Sequence, residues 1–78
     1  MFYVYLLKSE KDNTHYIGQT KNFGDRLNRH NFGRIKSTKN KAPWKLVKFE
    51  TYKSRNEARW REYNLKRNGN ERKKFYGA

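Results

Sequence analysis

Residues 2–20 of the chain read FYVYLLKSEKDNTHYIGQT, and this stretch decides the fold. Aromatic and β-branched residues dominate Phe2 to Lys8, and a turn-forming run, Glu10-Lys11-Asp12-Asn13, follows, so the first segment is predicted to be a β-strand. His15 to Thr20 has the same strand character. The sequence therefore predicts that the two segments pair as an antiparallel hairpin.

A helix, a loop and a third strand are predicted after the hairpin. Asn22 is placed to cap a helix that Phe23 and Leu27 dock as an apolar pair at i, i+4. The segment 32–43 is rich in Lys and Arg and ends at the lone proline of the chain, which predicts an extended basic loop. Trp44 to Tyr52 is the third predicted strand.

A second long helix is predicted near the C-terminus. Ser54-Arg55-Asn56-Glu57 matches the capping box, so this helix is expected to run from about Asn56 to Asn68, with Gly69 as its C-terminal stop. Residues 70–78 are compatible with one more short helix. The prediction is an α/β fold over a single domain, residues 1–78, with a small three-stranded antiparallel sheet flanked by helices in the order β-β-α-β-α.

The charge balance indicates a polyanionic partner. The 78 residues hold 20 Lys and Arg against 7 Asp and Glu, a formal net charge of +13. Such a surface attracts nucleic acid. An anionic lipid surface is disfavoured because no predicted helix combines a Lys-rich face with a broad apolar one. The lack of cysteine excludes disulfides and thiolate metal sites, and the lack of a long apolar run predicts no membrane span and a cytoplasmic location.

An ordered set of short motifs resembles the GIY-YIG nuclease superfamily, in particular its small stand-alone bacterial members, from Phe2 to about Asn68. The first motif is Tyr3-Val4-Tyr5, continued by Leu6-Leu7-Lys8. The others are Tyr16 to Thr20, Arg26 to Asn31, Lys36 to Lys39, Pro43 to Val47, and Glu57-Ala58 through Glu62 to Lys66. Tyr3 stands where the name-giving first motif has glycine. The functional residue of that motif is the tyrosine that corresponds to Tyr5.

The resemblance implies a catalytic set of Tyr5, Tyr16, Arg26 and His30. Tyr5 is the expected base for the attacking water, which requires a nearby cation or metal to lower its pKa from about 10. Tyr16 is expected to position the water or the phosphate, and Arg26 to clamp a phosphate oxygen through its planar fork. His30 is expected either to donate to the phosphate, to assist proton transfer, or to be structural.

The resemblance also implies a metal ligand, Glu62. A carboxylate together with phosphate oxygens and waters suits Mg²⁺ or Mn²⁺, which are hard, oxygen-seeking ions. The simpler alternative is an exposed ion pair between Glu62 and Lys66, one helical turn later.

The basic residues of the loop and the first strand are the expected contacts to the nucleic-acid backbone. An ideal strand places Lys8 on the face opposite Tyr5, which favours a surface lysine over a catalytic one. The predicted backbone contacts are Lys8, Arg34, Lys36, Lys39 and Lys41.

These observations favour a metal-dependent endonuclease that hydrolyses DNA phosphodiester bonds with low or shape-based specificity. One alternative is a nucleic-acid-binding module without catalysis. Another is a subunit that docks on a second copy or on a larger protein through Trp60 and Tyr63. With Arg67, these two aromatic residues form a separate helix face that is available to such a partner or to the C-terminal Phe75 and Tyr76.

Overall fold

Strand β1 (Phe2–Ser9) is the centre of a three-stranded antiparallel sheet in the computed structural model, which describes residues 1–77. β2 (His15–Thr20) pairs with one edge of β1, and β3 (Trp44–Tyr52) pairs with the other. The predicted hairpin is confirmed. A register irregularity in the β1–β3 ladder lies between Leu6 and Leu7.

Three helices complete the fold: α1 (Phe23–Asn31), α2 (Arg55–Arg67) and α3 (Gly69–Tyr76). The element order β-β-α-β-α-α confirms the predicted α/β fold, including the short C-terminal helix. None of the helices within residues 1–77 has the length and apolar composition needed to cross a bilayer.

The side-chain alternation of β1 divides the core between the two faces of the sheet. Tyr5 and Leu7 face α1, where the predicted Phe23–Leu27 pair and Trp44 pack against them. On the other face, β1 and β2 pack against α2 and α3. The buried residues of this second cluster are Val4, Leu6, Ile17, Ala58, Leu65 and Phe75.

The predicted end of α2 before Gly69 is confirmed, but the residue that ends the helix is Asn68, which also begins α3. Its backbone is extended, and its N–H donates to the carbonyl oxygen of Asn64. The Asn68 side-chain oxygen accepts hydrogen bonds from the backbone N–H groups of Asn70 and Glu71. A capping asparagine with extended dihedrals therefore interrupts the helical path without a left-handed glycine.

The segment 32–43 is less extended than predicted. It contains a 3₁₀ turn at Lys39–Lys41, and Thr38 just before that turn is buried. The indole N–H of Trp44 donates to the Thr38 carbonyl oxygen at 3.0 Å. The loop is therefore attached to the α1 face of the sheet by its middle.

The C-terminal aromatic residues do not cover the outer face of α2. Phe75 is buried in the core cluster between the sheet and the helices. Tyr76 stacks on His15 of β2, with ring centroids 4.2 Å apart. Trp60 and Tyr63 remain exposed.

Candidate active site

Tyr5 lies opposite Gly18 in the β1–β2 ladder, and the glycine makes room for the phenol. A Cβ atom built on Gly18 would lie 2.6 Å from Tyr5 Cζ, closer still to the Tyr5 hydroxyl, and 3.1 Å from Cε1 of Tyr16. No real side chain fits at such distances. The absent side chain at Gly18 therefore permits the two tyrosines to share one face of the sheet.

A buried chain of hydrogen bonds starts at Tyr5. Its hydroxyl lies 3.0 Å from Nε2 of His30, and Nδ1 of His30 lies 2.8 Å from Oγ1 of Thr38. Thr38 Oγ1 donates to the carbonyl oxygen of Ile35 at 3.4 Å. A hydroxyl has a single proton to donate, so Thr38 accepts from His30, and we assign the Nδ1–H tautomer on this basis. His30 Nε2 then carries the lone pair that accepts the Tyr5 proton.

The environment keeps both members of the Tyr5–His30 pair neutral. Burial, with a smaller contribution from the charge of Arg26, lowers the pKa of His30 to about 4. Burial also raises the pKa of Tyr5 above its usual value, and the opposing effect of Arg26 does not offset it. The Arg26 charge does lower the pKa of the Tyr5 phenol, but desolvation outweighs this attraction in the protein without metal or substrate. Tyr5 keeps its proton and shares it with His30.

Tyr16 is the more accessible of the two phenols. It is half-buried, whereas Tyr5 is 2% exposed. Its ring makes an edge contact with His30 at a centroid distance of 4.9 Å and lies 6.3 Å from the Tyr5 ring. Nζ of Lys66 lies 5.7 Å from the Tyr16 ring centroid. Tyr16 therefore joins the α1 side of the site to the C-terminal half of α2.

Arg26 lies one helical turn before His30 on α1. It is half-buried, and within residues 1–77 its guanidinium forms no salt bridge. Its charge influences the pKa of both Tyr5 and His30. The structure thus brings Tyr5, Tyr16, Arg26 and His30 together and leaves the Arg26 guanidinium available to an anion.

Glu62 approaches this cluster from α2. Its side chain is 22% exposed, and its charge contributes to raising the pKa of Tyr5. The ion pair that was the simpler alternative does form, with Lys66 Nζ donating to Glu62 Oε2 at 2.9 Å. Glu62 lines a shallow surface depression, here called the Glu62 depression. Its lining residues are Gln19, Arg59, Glu62, Tyr63 and Lys66.

The oxygen donors of the Glu62 depression fit a hard divalent cation. Gln19 Oε1 is buried and lacks a hydrogen-bond partner among residues 1–77, so it is an unused acceptor beside a carboxylate. The described part of the chain holds no cluster of three or more His, Cys, Asp or Glu side chains. Mg²⁺ is commonly bound by one or two carboxylates, waters and substrate phosphates, so this donor set suits an ion that binds together with a phosphate.

Comparison with known proteins places this geometry in a family. The sequence profile of the GIY-YIG catalytic domain matches residues 1–75. The chain belongs to the GIY-YIG family. This is a family of endonuclease domains that generally use divalent metals, so the chain has a nuclease-type domain.

Bacterial proteins designated UPF0213 are similar to this GIY-YIG chain. One from Clostridium perfringens is 44% identical over 68 residues, which cover 86% of this chain and 72% of the relative. One from Staphylococcus haemolyticus is 45% identical over 65 residues, which cover 82% of this chain and 78% of the relative. One from Nitratidesulfovibrio vulgaris is 36% identical over 74 residues, or 94% and 66%. No solved structure matches the chain.

The predicted backbone-contacting residues are distributed unevenly around the GIY-YIG site. Lys8 is exposed, and its charge adds to the effect of burial in lowering the pKa of His15 on β2. Lys41 pairs with Asp12 at 3.7 Å. The other three predicted contacts are exposed on the loop that Thr38 attaches to His30: Arg34, Lys36 and Lys39.

Two residues of the site were missed by sequence reasoning. Thr38 belongs to the family-like run 36–39, but that run assigns it no role, because its bond to His30 spans eight residues. Gln19 does give a signal in the sequence. It shares a strand face with buried Ile17, and a polar side chain at such a position requires a hydrogen-bond partner.

Replacement of Gly18 tests the packing of the site. We expect Gly18→Ala to lower the free energy of unfolding by about 1–3 kcal/mol, the usual effect of overpacking, because the new methyl group displaces the Tyr5 ring. Gly24→Ala is the matched control, since nothing lies within 4 Å of a Cβ there. In helix α1 that change is expected to raise stability by about 0.5–1 kcal/mol. Urea unfolding of both variants measures the difference. A Gly18→Ala protein as stable as the parent contradicts the packing described here.

Proposed function

We propose that this chain is a divalent-metal-dependent endonuclease that hydrolyses DNA phosphodiester bonds with low or structure-based specificity. The observation that supports it most is the buried Tyr5–His30–Thr38 chain, which adjoins an unpaired guanidinium on α1. A phosphodiester hydrolase must remove a proton from water and stabilise charge on the phosphoryl oxygens. The hydrogen-bonded Tyr5–His30–Thr38 series accepts the proton of the water, and Arg26 stabilises the charge on the phosphoryl oxygens.

The proton route runs through Tyr5 to His30. As the attacking water adds to phosphorus, its proton passes to the oxygen of Tyr5, and the Tyr5 proton passes to Nε2 of His30. Tyr5 gains one proton and loses one, so it never stands as a free phenolate. Thr38 holds the Nδ1–H of His30 and keeps Nε2 directed at the phenol. A bound phosphodiester adds negative charge near Arg26, which raises the pKa of His30 from about 4 toward the working pH.

Arg26 and Tyr16 hold the phosphate. The planar fork of Arg26 donates two hydrogen bonds to the non-bridging oxygens and stabilises the charge that grows on them. The half-buried Tyr16 hydroxyl donates to the phosphate or orients the water. Arg26 and Tyr16 thereby position the phosphorus atom next to the water that Tyr5 deprotonates.

Glu62, assisted by the unused oxygen of Gln19, would hold the cation, Mg²⁺ or Mn²⁺. When bound, the ion supplies positive charge to the phosphoryl and leaving oxygens and lowers the pKa of a coordinated water. Lys66, which pairs with Glu62 in the free protein, would then be available to the DNA backbone.

The Glu62–Lys66 ion pair favours a second candidate function, a non-catalytic nucleic-acid-binding module. In that case Lys66 permanently neutralises Glu62, and the cluster only grips phosphate. The two functions differ in what a divalent cation does, since the binding module needs none.

Glu62→Gln should abolish metal-dependent cleavage of plasmid and oligonucleotide duplex while DNA affinity stays close to that of the parent. The amide keeps the side-chain volume and loses the charge that holds the cation. Glu57→Gln is the matched control on the same helix, because glutamine also serves at this capping-box position, and this variant should cleave at the parent rate. The ion pair with Lys66 contributes only about 0.3–0.5 kcal/mol, so Glu62→Gln should remain folded. Cleavage by Glu62→Gln at the parent rate, or cleavage by the parent in excess chelator, contradicts the metal assignment.

The exposed loop cations should make phosphate contacts without base preference. Log affinity for duplex DNA should fall linearly with log salt, with a slope of about −0.9 per neutralised phosphate. Lys36→Ala should make the slope shallower by about one on every sequence tested. Lys73→Ala, which removes an exposed lysine on α3, is the control and should leave the slope unchanged. An affinity that is insensitive to salt contradicts both the nuclease and the binding module.

A further inference from the structure

The outer face of α2 carries an ordered aromatic and cationic stack that the proposed chemistry does not use. Trp60 is 65% exposed and Tyr63 is 47% exposed, yet their rings stack with centroids 5.8 Å apart and an interplanar angle of 20°. The Arg67 guanidinium lies 5.5 Å from the Tyr63 ring centroid and donates to the Tyr63 hydroxyl. The three side chains stand at i, i+3 and i+7 and preorganise one another, and no other residue of the described part of the chain covers the Trp60 and Tyr63 rings.

The borders of this stack are cationic. On one side of Trp60 a depression is lined by Asn56, Arg59, Tyr63 and Arg67. On the other side Trp60 borders a depression that includes Lys53 and Glu57, and the Glu57 carboxylate is already engaged in the capping box. Trp, Tyr and Arg are also enriched at protein–protein interfaces, but Lys is depleted there. Here Lys53 lies at one border. Stacked aromatics edged by Arg and Lys bind single-stranded nucleic acid, which a net charge of +13 attracts.

The stack is continuous with the proposed metal site. Arg59 and Tyr63 line both the depression beside Trp60 and the Glu62 depression. A nucleic-acid strand whose phosphate lies at Glu62 can therefore continue directly onto the stack. The rings present flat faces, which accept the face of any base without reading its edge.

We propose that Trp60, Tyr63 and Arg67 form a base-stacking subsite for an unpaired nucleotide beside the phosphate bound at Glu62. This inference rests on the proposed function for the position of that phosphate. A paired base within a duplex has both faces covered by its neighbours and cannot stack on Trp60. The preferred substrates are thus nucleic acids with a single-stranded segment at the contact point: single strands, flaps or frayed ends.

Two substitutions at Trp60 separate ring stacking from simple apolar contact. Trp60→Tyr keeps a π face, whereas Trp60→Leu keeps only an apolar surface. Binding of a labelled single-stranded oligonucleotide, and of the same sequence in a blunt duplex, is measured in chelator by fluorescence anisotropy. Phe49→Leu is the matched control, because Phe49 is a half-exposed aromatic residue on β3 that contacts Phe23 on the α1 side of the sheet. Circular dichroism of each variant verifies folding.

Trp60→Leu should weaken single-strand binding by about tenfold, the size of one lost base–aromatic stack. Trp60→Tyr should bind close to the parent, and duplex binding should be unchanged in all variants. Tryptophan emission offers a second readout. Trp44 is 5% exposed, so quenching of the parent by the single strand should come mainly from Trp60 and be lost in Trp60→Tyr.

Three results overturn the subsite. If Trp60→Leu loses affinity equally for the single strand and the duplex, Trp60 makes a general contact to the nucleic-acid backbone. If Trp60→Leu binds the single strand as tightly as the parent, this helix face binds a protein partner instead. Loss in Trp60→Tyr as large as in Trp60→Leu shows that no ring stacking is involved. Cleavage by the parent with Mg²⁺ is scored separately. If the parent does not cleave but the Trp60 variants bind as expected, the nuclease proposal is wrong and the subsite belongs to a binding module. If the parent cleaves but the Trp60 variants do not bind as expected, only the subsite proposal is wrong.

Discussion

The hydrogen bond from the Tyr5 hydroxyl to Nε2 of His30 is the interaction on which the rest of the structure depends. It joins the central strand to α1 across a distance of 25 residues in sequence, and both side chains are buried. An unsatisfied buried polar group costs about 1–3 kcal/mol, so each partner constrains the other. Gly18 makes space for the phenol, and Thr38 fixes the ring from the far side. Through Thr38 the same bond also determines where the basic loop lies.

The topology explains how residues from both faces of the sheet meet at one site. Tyr5 points toward α1, whereas Glu62 belongs to α2 on the opposite face. β2 is an edge strand, so side chains from the two faces of the sheet can approach each other around its outer side. The contact of Lys66 on α2 with the Tyr16 ring shows that α2 reaches this edge. A substrate phosphate bound at the β2 edge would contact groups from both faces of the sheet. A nucleic-acid strand that continues from this phosphate along α2 would contact the exposed aromatic stack.

Much of this arrangement was accessible from the sequence. The strands followed from their aromatic and β-branched content, and the capping box located α2, because both signals are local. Asn68 shows the limit, since either it or Gly69 can end a helix and only tertiary packing of Phe75 decides that a new helix starts at once. The direction of the Tyr5 pKa shift was likewise beyond the sequence, because it depends on burial outweighing Arg26. Thr38 lies in a family-like run, but no local pattern predicts its bond to His30, whereas the need of Gln19 for a partner follows from its place beside Ile17.

The central claim is that His30 is a neutral proton acceptor poised for Tyr5. The most direct test is ¹⁵N NMR of the His30 ring in the folded protein without metal or DNA, followed from pH 8 down through pH 4. We expect the Nδ1–H tautomer at pH 7 and protonation of Nε2 only near pH 4, where the hydrogen bond from Tyr5 is lost. An Nε2–H tautomer at pH 7, or a ring that titrates at its ordinary pKa of about 6.5, would contradict the relay.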